Sequence, residues 1–393
     1  MSSRVPALAT PALIEWARSK SGLSRDQVAK HLSVAPDRVA QWENGTQKPT
    51  VNQLRRFGRM VRRPLAFFYL PEPPRDFDAI HDFRRVPEFE PEPESPELLL
   101  AIRTAHDRRS IALDLMEDLE ETPDTQLPTL TLDVDPESLS SSIRSYLGYE
   151  ATRAVQWSSF YEALNFWREA IEAKGILVLQ FGDVNRAEAR GFSPADPPLP
   201  VIAINRTEWP QARIFSLLHE FIHLTLRQGG LCNFVERQTS RFEEQRVEIF
   251  CNRVAGAVLV PLGDLLSDNN LVGNRRGEDI AEPRIRDLAR RFRTSREVIL
   301  RRLLISNQIT QQFYEIKRAE YEKDFEAERS SASPGFAPPH ILALSSAGSM
   351  FTDLVLRGYR QHRITGADVA DYLNLRLKHL GPLEASLSRR TFL

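Results

Sequence analysis

The stretch "FSLLHEFIHLTL", residues 215–226, sets two histidines four positions apart in an apolar run, with a glutamate directly after the first. On an α-helix His219 and His223 lie about 40° apart in projection, so two imidazoles point to one side and can share one metal ion. Glu220 is turned by about 100° from His219, beside such an ion rather than on it. A carboxylate there can take a proton from a metal-bound water, as amide hydrolysis requires. An HExxH pattern arises by chance in about one such chain per hundred, so a third ligand is needed.

Candidates stand on "RFEEQRVEIFCNRVAGAVLVP", a second helical pattern at 241–260. Its apolar stripe, Val247, Cys251, Val254 and Val258, is expected to face a core. Glu248 lies on a neighbouring face with Asn252, Ala255 and Gly256, small residues that permit close approach of another helix. Glu244 shares that face one turn earlier, so spacing prefers Glu248 without excluding Glu244. Three ligands would leave a fourth position open for water, as a catalytic site requires. Two imidazoles and a carboxylate suit Zn2+ first, with Mn2+ or iron also accommodated.

These residues resemble the ImmA/IrrE family of metallopeptidases, in which an HExxH helix precedes an E-x-x-A-N helix ending in a proline. The resemblance covers about residues 150–310, with Cys251 and Gly256 in place of two usual alanines. It implies that His219, His223 and Glu248 are metal ligands and Glu220 the general base. It also implies that "ARGFS" and "PVIAIN" form strands ahead of the active-site helix.

The chain has 393 residues, enough for two or three cores. Formal charge is near balance at −1, yet residues 4–63 hold 12 basic side chains against 4 acidic ones, a local net of +8. Over residues 11–70 the pattern is of short helices: Ser24 and Gln27 have capping-box spacing, and Pro36 sits where a helix favours its first residue. "LSRDQVAKHLSVAPDRVAQWENGTQKPT" resembles the XRE-type helix-turn-helix. Asp37, Arg38 and Gln41 open the expected recognition helix and are the candidate base readers, and Gln27 and Lys48 are placed for phosphates. Ala35 departs from the Ser or Thr usual at that helix start.

The expected organisation is an all-α helix-turn-helix domain at 1–70, and a Pro- and acid-rich linker with an amphipathic helix at 71–149. An α+β, zincin-like metallopeptidase domain follows at 150–329, and a helical C-terminal extension at 340–393. The chain is expected to be mostly α. "IRDLARRFRTSREVILRRLL" reads as two helices with a basic face carrying Arg290, Arg291, Arg293, Arg301 and Arg302, with Thr294 and Glu297 at capping-box spacing. It resembles a second helix-turn-helix and is equally consistent with a helical support.

No signal-like or membrane-length apolar run occurs, and only Cys232 and Cys251 are present. A soluble cytoplasmic protein with no membrane partner and no disulfide framework is expected. The partners expected are double-stranded operator DNA and a repressor protein cut by the metal site, with a homodimer suggested by the operator-binding class. The alternative is a DNA-binding antitoxin with a protease-like scaffold and a PIN-type toxin. There the tail stripe Phe351, Leu354, Val355, Tyr359, Tyr372, Leu373 and Leu377 would bind the toxin or pack on the protease domain.

Overall fold

The computed structural model describes residues 6–61, 63, 65–73, 94–125, 127–149, 157–194, 197–228, 241–268, 271, 279–331 and 337–391. Most of the acidic proline-rich segment read as a linker lies outside them. The chain divides into two compact units, one of residues up to Thr104 and the other from Ala105 onward. Both are mostly helical, and the second holds a small sheet.

The first unit packs α1 (Pro11–Ser19), α2 (Arg25–Leu32), α3 (Pro36–Glu43) and α4 (Val51–Met60) around Leu13, Val28, Val39, Trp42, Leu54 and Phe57. The capping box forms as expected, Ser24 Oγ accepting from the Gln27 amide at 3.1 Å and Gln27 Oε1 from the Ser24 amide at 2.7 Å. At α3 Ala35 gives no side-chain cap, and Pro36 stands in the first turn, where a missing N–H costs nothing. Glu43 is buried and accepts from Arg18 Nε at 2.5 Å and Arg25 Nε at 2.7 Å. Two of the twelve basic residues are thereby committed to the fold. Helix α5 (Pro96–Asp118) starts in this unit and ends in the next.

In the second unit α6 (Pro136–Tyr146) and α7 (Phe160–Glu172) precede the sheet of β1 (Leu177–Phe181), β2 (Gly191–Phe192) and β3 (Val201–Asn205). The strand order is β1-β3-β2, with β1 parallel to β3 in the register Leu177 to Val201, and β2 antiparallel to β3. Every residue of β1 and β3 is buried, Gln180 and Asn205 among otherwise apolar runs. Helix α8 (Pro210–Gln228) packs on β3, β2, α7 and α9 (Arg241–Leu259). Helix α6 lies against α9, so part of the segment read as linker and amphipathic helix belongs to this core. Its signals are the Asp135 cap, which accepts from the Ser138 amide at 2.9 Å, and Pro136 in the first turn.

Beyond α9 come α10 (Leu262–Leu266), α11 (Glu282–Arg291), α12 (Arg296–Ile305), α13 (Gln311–Ser331), α14 (Pro339–Ala347), α15 (Ser349–Arg360), α16 (Gly366–Tyr372) and α17 (Leu380–Thr391). The α12 cap is Ser295, whose Oγ accepts from the Val298 amide at 3.3 Å, rather than Thr294 as the spacing suggested. Chain direction decides this, because Thr294 is turned inward and is 1% exposed.

The tail is part of this second unit. Helices α14 and α15 pack on β1, and Phe351, Leu354, Val355 and Leu373 are buried. The outer carbonyls of β1 are satisfied by side chains: Val178 O accepts from Arg168 at 3.1 Å, and Gln180 O from Ser346 Oγ at 3.1 Å. Arg168 also donates to the Ser345 carbonyl at 2.9 Å. The tail therefore protects a sheet edge that would otherwise expose unpaired backbone.

Glu172, buried at the end of α7, accepts from the Ser349 amide at 3.2 Å at the start of α15. Burial pushes its carboxyl up to about 7, against the opposing pull of Arg168 and the α15 amides. A carboxyl raised above its unfolded value contributes stability that is complete below about pH 4.5 and is lost as pH rises through about 7. Glu172→Gln keeps the hydrogen bond without the charge. Its unfolding free energy is expected to exceed wild type by on the order of 2–3 kcal/mol at pH 8 and to converge with it near pH 4.5, read by urea melts across that range.

Candidate metal centre and nucleic-acid interface

Helix α8 is buried on all sides from residue 216 to 226, which suits a sequence apolar around most of its circumference. His219 and His223 are 1% and 2% exposed. Their Nε2 atoms are 3.0 Å apart, and Glu248 on α9 brings Oε1 to 3.0 Å from His223 Nε2 and Oε2 to 3.4 Å from His219 Nε2. Small residues let the helices meet this closely, since Cys251 and Ala255 are fully buried on α9. The side chain of Glu244 lies outside the described residues.

These three groups fit a metal ion. Ligand bonds of about 2.0–2.1 Å in a tetrahedral site put ligand atoms about 3.3 Å apart, and the observed edges of 3.0 to 3.4 Å bracket that value. Among the described residues this is the cluster of three or more His, Cys, Asp or Glu side chains with that compactness. Burial raises the Glu248 carboxyl, but hydrogen bonds and charge from His219 and His223 outweigh it and hold the group well below the ordinary carboxylate range.

Glu220 projects to a different side of α8, toward β2. It is 4% exposed, and its Oε2 accepts from Ser193 Oγ at 2.9 Å. A Cβ on Gly191 would lie 3.2 Å from Glu220 Oε1 and 3.0 Å from the Ala203 carbonyl, so glycine is what lets the strand pass this close. Ser193 is the site residue that sequence reasoning did not single out. It lies within "ARGFS", but nothing in the local pattern says which side chain its hydroxyl meets.

In the first unit Gln27, Asp37, Arg38 and Lys48 are exposed and Gln41 is half-buried. Asp37 and Arg38 are exposed in the first turn of α3, ahead of the buried Val39. Gln27 Oε1 accepts from the Ser24 amide in the α2 cap, and Arg38 donates to Gln47 Oε1. In the second basic pattern the arginines have intramolecular roles. Arg302 donates to the Val260 carbonyl at 2.7 Å and meets Glu137 at 2.6 Å, while Arg301 pairs with Glu297 at 2.8 Å and Arg290 with Asp287 at 3.2 Å. Arg291 pairs with Asp268, and Arg293 donates to the Trp157 carbonyl. This favours the helical support over a second DNA reader.

Protein purified without chelator is expected to carry close to one equivalent of metal by elemental mass spectrometry. Glu248→Ala is expected to lose most of it, and Glu220→Gln to keep it, because Glu220 is not among the three converging groups.

Residues 171–304 match the family model described as the IrrE N-terminal-like domain, of the M78 peptidases, and residues 12–66 match one described as a helix-turn-helix domain. No curated protein matches the chain. No helix among the described residues is long and apolar enough to cross a membrane. The chain thus joins an N-terminal helix-turn-helix, a DNA-binding type of domain, to a peptidase domain of the ImmA/IrrE type, a family whose chemistry implies a metal ion.

Proposed function

We propose that this protein is a DNA-binding regulator whose second unit is a metal-dependent endopeptidase that cleaves a repressor protein. The observation that carries the reading is the convergence of His219, His223 and Glu248 to within 3.4 Å of one another, with a second buried carboxylate, Glu220, on the same helix. Bound there, Zn2+ or Mn2+ would supply Lewis acidity, making a water acidic and polarising the scissile carbonyl. Glu220 is the proposed general base. It takes the proton of the attacking water as the new C–O bond forms, and then gives it to the amine nitrogen as the peptide C–N bond breaks. Ser193 holds one carboxylate oxygen of Glu220 and so fixes the orientation of the base. His219, His223 and Glu248 hold their position because α8 and α9 are locked in a common core.

The first unit is proposed to hold double-stranded operator DNA, with Asp37, Arg38 and Gln41 on base edges and Gln27 and Lys48 on phosphates. A homodimer would place two such units on paired half-sites. The burial of Phe351, Leu354, Val355 and Leu373 removes most of the tail stripe as a surface for a toxin, which weighs against the antitoxin reading.

Cleavage is tested by following repressor candidates in cells and with purified protein. Glu220→Gln is expected to lower cleavage by at least about a hundredfold while metal content stays at wild-type level. Ser193→Ala is expected to lower it more mildly. Repressor loss undiminished by Glu220→Gln, or metal absent from wild type even after incubation with Zn2+ or Mn2+, would make the domain a scaffold. On DNA, Arg38→Ala is expected to cost about 1–3 kcal/mol at one base position. Lys48→Ala is expected to weaken all sequences alike and reduce the salt slope by about one, both measured by fluorescence anisotropy titrations.

A further inference from the structure

The second unit contains a cavity of about 800 Å3 that none of the three candidate metal ligands lines. We propose that it binds a nucleotide, a planar ring carrying phosphate. This does not rest on the peptidase reading.

Three helix starts meet at its wall: Ser159 and Phe160 of α7, Pro210 and Gln211 of α8, and Ser295 and Arg296 of α12. The Ser159 and Ser295 hydroxyls already cap the Glu162 and Val298 amides and the Trp209 carbonyl takes those of Ala212 and Arg213, so what these helix starts offer is the partial positive charge of their aligned peptide dipoles. Seven arginines line the cavity against three glutamates. All three glutamates are already engaged: Glu208 with Arg190 and Ser216, Glu297 with Arg301, and Glu322 with Arg318. Arg186 has no carboxylate partner among the described residues, while Arg293 donates to the Trp157 carbonyl and acts on Glu162 through its charge. Arg186 stands over the Phe325 ring at 3.8 Å, and Arg293 has its Nε buried without an acceptor.

A second, independent observation is Thr294. It lines the cavity at 1% exposure, and its hydroxyl makes no hydrogen bond among the described residues. A buried hydroxyl without a partner is destabilising, and a ligand oxygen would relieve it. Phosphate alone would account for the arginines and the helix starts, but not for the aromatic wall. There Trp209 is 41% exposed and meets Phe325 edge to face at 6.2 Å, with Phe160 and Tyr321 nearby in the lining. An uncharged ring would leave the positive field unanswered. A ring joined to phosphate uses both, and the volume lies in the range of pockets that enclose ligands of that size.

The site is also set apart from the metal centre. His219 lies nine residues along α8 from Pro210, about 14 Å of helix.

The test is isothermal titration calorimetry on the full chain with ATP, adenosine and inorganic phosphate. It is repeated on Arg186→Gln, Trp209→Ala and Thr294→Val, with melting temperature as the check on folding. Arg186 and Trp209 are not buried, so those two variants are expected to fold as wild type. ATP is expected to bind at one equivalent, at least about tenfold more tightly than adenosine or phosphate, and to weaken at least about tenfold in Arg186→Gln and in Trp209→Ala. The proposal fails if ATP does not bind, or if its affinity is unchanged in both variants, which would place it elsewhere, as on the basic helix-turn-helix. It fails equally if phosphate or adenosine alone binds as tightly as ATP.

Discussion

The rest of the second unit depends on one constraint: from residue 216 to 226 helix α8 is buried on every side and yet carries polar groups. His219, Glu220 and His223 are each less than 5% exposed. Desolvating a carboxylate or an imidazole without partners costs several kcal/mol, so the surrounding structure has to supply partners. It does so on two sides. Glu248 approaches the two imidazoles from α9, and the Ser193 hydroxyl approaches Glu220 from the end of β2. The division of labour in the candidate site follows from it. One carboxylate faces the imidazole pair, and the other is held apart by a hydroxyl donor.

The same demand explains much of the arginine content, which composition alone presents as a basic character suited to nucleic acid. Arg144 donates to the Val258 carbonyl at 2.8 Å and Arg302 to that of Val260 at 2.7 Å, so the end of α9 is satisfied by side chains. Arg168 serves the edge of β1, and Arg108 the carbonyl of Ser346 at 2.7 Å. Guanidinium groups suit this because several donors in one plane can serve carbonyls from different elements while the aliphatic stem packs. The tail is bound into the unit by these contacts as well as by its apolar residues. Where an arginine lacks such a duty, at Arg186, it faces a cavity.

In the first unit the distinction runs the other way. Glu43 draws Arg18 and Arg25 into the structure, while Asp37, Arg38 and Lys48 stay at the surface. The fold-building charges and the candidate DNA-facing charges are thus separate sets within one helical cluster. A net count of +8 cannot tell them apart.

Most of what local chemistry controls was legible in the sequence. The HExxH helix, the Ser24 capping box, the Pro36 helix start and the buried strands around Leu177 and Val201 each follow from residues within a few positions of one another. Periodicity and caps act over that range. The helix Pro136–Tyr146 carried such signals as well, Asp135 and Pro136, though it fell in a segment read mainly for its prolines and acids. What only tertiary structure decided is each pairing between segments distant in the chain: the position of Glu248 against the two histidines, Ser193 on Glu220, Ser346 on the edge of β1, and the inward turn of Thr294 beside its capping neighbour Ser295. In each case several residues had suitable chemistry. The choice among them depended on which helix or strand face the packed core brought within about 3 Å, a distance that no local pattern encodes.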